Sequence, residues 1–205
     1  MLEGRLRRAA TASGPPHVAV LCHPHPAFGG HMDVWLLPRI GERLAQHGWT
    51  ILRFNVRGVG GSEAGPGRWD GEQERLDLAA AVRVLQEHAG HKPLRTAIVG
   101  WSFGALLGLL HGLTDPTVTD WVGIGPPTRP IDSLPMVAVP YRDVADWQAR
   151  RTVIVGALDQ FFPPDTVEVL APHATHVVEG ADHFLFDRDE EVADLVTTAL
   201  GRPST

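Results

Sequence analysis

Along this chain, short runs of consecutive apolar residues alternate with stretches that are apolar at every third or fourth position. The runs are His17–Cys22, Thr50–Val56, Leu94–Val99, Trp121–Gly125, Thr152–Leu158 and His176–Glu179. Strands buried on both faces read this way, because neither side of the pleat meets water. The helical spacing appears over Met32–His47, with Val34, Leu37, Ile40 and Leu44 on one face and Gly48 at its end. It returns over Gly71–Ala89 through Leu76, Leu78, Ala81, Val82 and Leu85, and stops at Gly90 and Pro93. Ala105–Leu110 reads as helix, Pro163–Leu170 as a short helix, and Asp189–Leu200 as an amphipathic one. The N-terminal piece is expected to add an edge hairpin. The proline-rich segment 126–149 is expected to run as an excursion over the sheet's edge. Strands alternating with helices predict an α/β fold: a mostly parallel central sheet with helices on both faces, in one domain spanning 1–205. Ligands of such sheets bind at the carboxyl ends of the strands, which singles out the loops after Cys22, Val99, Leu158 and Glu179.

The run ending at Val99 enters Gly100-Trp101-Ser102-Phe103-Gly104, a G-x-S-x-G pattern followed at once by a helical stretch. Strand, sharp turn and helix is the context in which that pattern exposes a serine nucleophile. Its small flanking residues allow the tight backbone approach, and the helix start puts positive potential beneath the hydroxyl. A serine hydroxyl still needs a base to take its proton and an acid to hold that base in the right tautomer. Leu158-Asp159 puts a carboxylate at one strand end, and Ala181-Asp182-His183 puts an imidazole just past another. Taken singly, Asp159 also reads as a cap for the helix at Pro163, and His183 as an ordinary loop histidine. The order Ser102, Asp159, His183 at three parallel strand ends points instead to nucleophilic acyl transfer.

Two rival chemistries follow from other motifs. His23 and His25 have the H-x-H spacing of metal hydrolases, but no nearby His, Asp or Glu supplies a third and fourth ligand, so no metal is expected. Arg57-Gly58-Val59-Gly60-Gly61 lacks the G-K-[ST] ending and the G-x-G-x-x-G spacing of phosphate loops, and reads as a tight turn. Asp70, Glu72, Glu74 and Asp77 read as a solvated acidic helix start.

Composition narrows the setting. A net charge of −6 argues against nucleic acid and anionic membrane as partners. With one cysteine, Cys22, no internal disulfide forms, which fits a reducing cytoplasm. No apolar stretch approaches membrane-span length. The chain is read as cytoplasmic and as needing no cofactor.

His23-Pro24-His25-Pro26 with Gly29-Gly30, Arg57 to Ser62, Gly100 to Gly104 and Gly180-Ala181-Asp182-His183-Phe184 together resemble the α/β-hydrolase superfamily. Within it they are similar to compact, lidless bacterial serine hydrolases related to dienelactone hydrolase-like proteins. The resemblance covers His17 to Leu200. It implies an ester or thioester hydrolase with Ser102, Asp159 and His183 as its triad, acting on a small, apolar acyl substrate. Dienelactone hydrolase itself uses a cysteine where this chain has Ser102. One oxyanion donor is the backbone N–H of Phe103, the residue after the nucleophile. Pro24 and Pro26 have no N–H, so His25 or Ala27 supplies the other, and the superfamily's H-G-x loops point to His25. Larger relatives insert a lid where this chain has only 126–149, so the site is expected to be open. Phe28, Trp101, Met136, Tyr141, Phe161, Phe162 and Phe184 are expected to line it. A homodimer is compatible with the resemblance. The other reading is a catalytically silent member that binds an apolar ligand or a partner protein.

Overall fold

The computed structural model describes residues 1–10, 15–63, 65, 68–90, 93–129, 134 and 136–202. Seven strands form one sheet: β1 Gly4–Arg7, β2 His17–Cys22, β3 Trp49–Phe54, β4 Arg95–Trp101, β5 Asp120–Ile124, β6 Arg150–Gly156 and β7 Ala174–Val178. Their spatial order is β1-β3-β2-β4-β5-β6-β7, and every pairing is parallel except β1 against β3. Among the described residues the expected edge hairpin is a single edge strand. β1 skips β2, its neighbour in the chain, and pairs with β3, aligning Gly4 with Phe54.

All six residues of β2 are buried, as its unbroken apolar run requires. Val18, Val20 and Cys22 face one core, with Leu78, Val82 and Leu85 of helix α2 (Glu74–His88) and Leu106, Leu107 and Leu109 of α3 (Phe103–Gly112). Ala19 and Leu21 face the other core, with Leu37, Ile40 and Leu44 of α1 (Leu36–Gln46) and Val192, Val196 and Leu200 of α5 (Asp189–Leu200). Two apolar layers thus clamp the sheet. Cys22 pairs with Gly100, and Trp101 with Ile124, so β2, β4 and β5 end side by side. The chain leaves β2 for β3 on one side and returns to β4 on the other. The crevice of this sheet therefore opens between the loops after β2 and β4.

Three local departures have physical causes. Helix α1 begins at Leu36 rather than Met32, because the preceding residues are committed to tertiary bonds. The Met32 N–H donates to Asn55 Oδ1 (2.7 Å), and Asp33 pairs with Arg53 (2.9 Å). The expected solvated acidic start of α2 is in fact partly buried: Glu74 and Asp77 are both inside, while Leu76 is exposed. Asp77 is covered by the Arg57 turn, whose guanidinium grips it at 2.9 and 2.6 Å while the Arg57 N–H donates at 2.9 Å. That bidentate grip fixes the tight turn against α2. In the 126–149 excursion, residues 130–133 and 135 lie outside the described residues, as do Pro66 and Gly67 of the polar loop. Of the rest, Tyr141–Val144 form one turn of helix, α4, and the Val137 N–H donates to the Asp70 carbonyl (2.8 Å). Among the described residues no helix is long and apolar enough to cross a membrane.

Candidate active site

Between β4 and α3 the chain turns on a single residue. Ser102 sits at φ 51°, ψ −113°, a region crowded for any side chain. It is held there because its N–H donates to the Ile124 carbonyl (2.8 Å) and its own carbonyl accepts from Ala105 (2.9 Å). Gly104 lets α3 start so close to β2: a Cβ there would stand 2.2 Å from the Cys22 carbonyl oxygen. Cys22 itself is buried, and burial pushes its thiol pKa up.

The base and acid reach the same corner from two other strand ends. His183 Nε2 lies 3.0 Å from Ser102 Oγ, and His183 Nδ1 lies 2.8 Å from Asp159 Oδ2. A carboxylate only accepts, so Nδ1 carries the proton and Nε2 presents its lone pair to the serine hydroxyl. The other oxygen, Asp159 Oδ1, accepts the N–H groups of Phe161 (2.9 Å) and Phe162 (2.8 Å). Asp159 therefore does not cap the following helix, which runs Pro164–Leu170 and starts without a side-chain cap: one oxygen orders the loop at Phe161 and Phe162 and the other orients the imidazole. Asp159 and His183 are buried, and such a chain can draw the proton from a serine hydroxyl.

The loop after β2 is braced by its own imidazoles. His23 accepts the Val56 N–H at Nε2 (3.2 Å) and donates from Nδ1 to the Pro24 carbonyl (2.7 Å). Burial drives its pKa down to about 4, so the ring is neutral. His25 accepts the Ala27 N–H at Nδ1 (3.1 Å) and donates from Nε2 to the Trp69 carbonyl (3.0 Å). Burial lowers its pKa too, partly offset by the bond to Trp69. Both nitrogens of each ring are used inside the protein. Phe103 opens α3, so its N–H has no acceptor within the helix. Phe103 and His25 both border the cavity above Ser102.

That cavity encloses about 290 Å³, and Ser102 and His183 lie in its wall. Of the residues expected to line it, Phe28, Trp101, Met136, Phe161, Phe162 and Phe184 do. Tyr141 does not. It packs against the core on the α2–α3 side of the sheet, and its hydroxyl donates to the Pro127 carbonyl (3.3 Å). Val34, Trp35, Leu134 and Phe186 also line the cavity and were not anticipated. The aromatic residues flanking the helix start and the G-A-D-H-F loop were the available signal for Trp35 and Phe186.

Residues 20–135 match the family described as alpha/beta hydrolase fold. An uncharacterised protein of Rickettsia prowazekii (strain Madrid E) is 29% identical over 208 residues, covering 97% of this chain and 84% of its own length. An alpha-beta serine hydrolase homologue from Coxiella burnetii superposes with a TM-score of 0.78 at 26% identity, covering 98% of this chain and 92% of that one. A Xanthomonas campestris protein described as an a/b serine hydrolase without lid shares the fold. Its TM-score is 0.80 at 23% identity, over 100% of this chain and 91% of that one.

Proposed function

Because this chain belongs to the alpha/beta hydrolase fold family, we propose that it is a serine hydrolase cleaving carboxylic esters or thioesters of small, apolar substrates. One observation carries the reading: the unbroken hydrogen-bond chain from Asp159 through His183 to Ser102 in the wall of an apolar cavity. In the first half-reaction His183 takes the Ser102 proton as Oγ bonds to the acyl carbon, and Asp159 stabilises the imidazolium. The N–H groups of Phe103 and His25 hold the negative oxygen of the tetrahedral intermediate. Collapse breaks the bond to the leaving group, which takes the proton from His183. Water, deprotonated by the same imidazole, then bonds to the acyl carbon, and the acid departs as Ser102 Oγ takes that proton back. Ester and thioester leaving groups suit this site because they need less protonation than an amine. The reading sets the reaction in the cytoplasm, on a small molecule, without cofactor, membrane or nucleic acid.

A fluorophosphonate probe tests it directly. The protein is expected to form a stable adduct that Ser102→Ala loses, and to turn over members of a nitrophenyl-ester and acyl-thioester chain-length series. A protein that forms no Ser102-dependent adduct is not this hydrolase, and the cavity is then a binding site only.

A further inference from the structure

His183 must return its proton to the departing oxygen, so the alcohol half of an ester has to lie beside Nε2. What stands around that imidazole is aromatic. The rings of Phe161, Phe162 and Phe184 lie 5.1, 5.4 and 5.8 Å from it. From Phe184 the rings continue as a nearly parallel series: the exposed Phe186 at 5.8 Å and 22°, then the half-buried Trp35 at 6.0 Å and 24°. Phe186 is 63% exposed and Phe184 37%. Large apolar faces left open at the mouth of a cavity mark a binding surface. Among the described residues that line the cavity none is Asp, Glu, Lys or Arg, so a charged guest would lose its hydration without a partner.

We propose that Phe184, Phe186 and Trp35 form the leaving-group subsite, and that it selects an uncharged alcohol carrying a flat aromatic ring. The inference rests on the hydrolase reading above and adds which half of the substrate the rings hold. Parallel rings favour a flat guest over a puckered one of equal size, because offset stacking adds attraction beyond the area buried.

Three esters separate the possibilities. Benzyl acetate and cyclohexylmethyl acetate share acid, carbon count and leaving-group type, and differ in flatness and aromaticity. Methyl phenylacetate is an isomer of benzyl acetate with the ring moved to the acyl half. The expected result is a higher kcat/KM for benzyl than for cyclohexylmethyl acetate. Phe186→Ala should cut that preference about five- to tenfold, Phe186→Tyr should restore it, and methyl phenylacetate should lose less than benzyl acetate does. Equal rates for the first two esters, a preference untouched by Phe186→Ala, or a loss that follows the ring into the acyl half would each overturn the assignment. Fluorophosphonate labelling of the same preparations keeps the two readings apart. Labelled protein without the benzyl preference refutes the aryl subsite alone, whereas protein that neither labels nor turns over any ester refutes the hydrolase as well.

Discussion

Asp159 divides its two oxygens between two tasks, and a single substitution separates them. In Asp159→Asn the amide oxygen can still accept from Phe161 and Phe162, but the amide NH₂ meets Nδ1–H and forces the imidazole into the wrong tautomer. We expect kcat to fall about 10⁴-fold. The fold should stay intact, read as a cooperative urea transition with a stability loss of about 1–3 kcal/mol, the cost of one buried charge-assisted hydrogen bond and well below the loss in activity. Equal loss of stability and activity would contradict this division. Ser102, Asp159 and His183 were legible in the sequence because each stands just past an apolar run, and a run's end is also where the sheet's rim lies. Tyr141 was not, since aromatic character alone does not tell a cavity wall from a core wall. Trp35 and Phe186 become neighbours only through folding, as the loop before α1 and the loop before α5 meet over the same rim.

At the scale of elements, the join between β2 and α3 is the tightest constraint. Gly104→Ala would press a methyl group into the Cys22 and His23 carbonyls, at 2.2 and 2.7 Å, and backbone cannot yield there. The expected cost is about 3 kcal/mol, measured by urea unfolding. Gly41→Ala on α1 is the matched opposite. Its nearest neighbour is the Leu21 Cδ1 at 3.4 Å, so the methyl fits and should stabilise the helix by about 0.5–1 kcal/mol. Like signs for the two would show that close approach is not what glycine serves at position 104. The bounds of α5 match the amphipathic reading residue for residue, since acids crowd its first turn and Gly201 follows its last residue. The onset of α1 could not be read in the same way: Met32 falls within the helical spacing, yet Asn55 and Arg53 hold Met32 and Asp33 elsewhere, and those partners lie on β3 and just past its end.

For the whole molecule, buried imidazoles tie folding to acidity. His23 is neutral in the folded chain with a pKa near 4, against about 6.5 when unfolded. Between those values the unfolded state binds the extra proton, so stability is full above pH 6.5 and is lost as pH falls towards 4. By pH 5 the loss from His23 alone is about 2 kcal/mol. His17 and His25, also lowered by burial, act in the same direction. Urea midpoints at pH 7 and pH 5 test this: an unchanged midpoint contradicts it, and His23→Gln should shrink the difference. The order of strands in the sheet was only partly readable. Alternation implied parallel neighbours, but nothing local to residues 4–7 says that they join β3 across β2. Cys22 is sealed beneath the turn that carries Ser102, and it is the chain's sole cysteine. A sulfhydryl introduced at the rim, as in Phe186→Cys, would therefore be the one site open to maleimide. Fluorescent or spin labels can be attached there to follow movements of the cavity mouth during turnover, with no native sulfur to remove first.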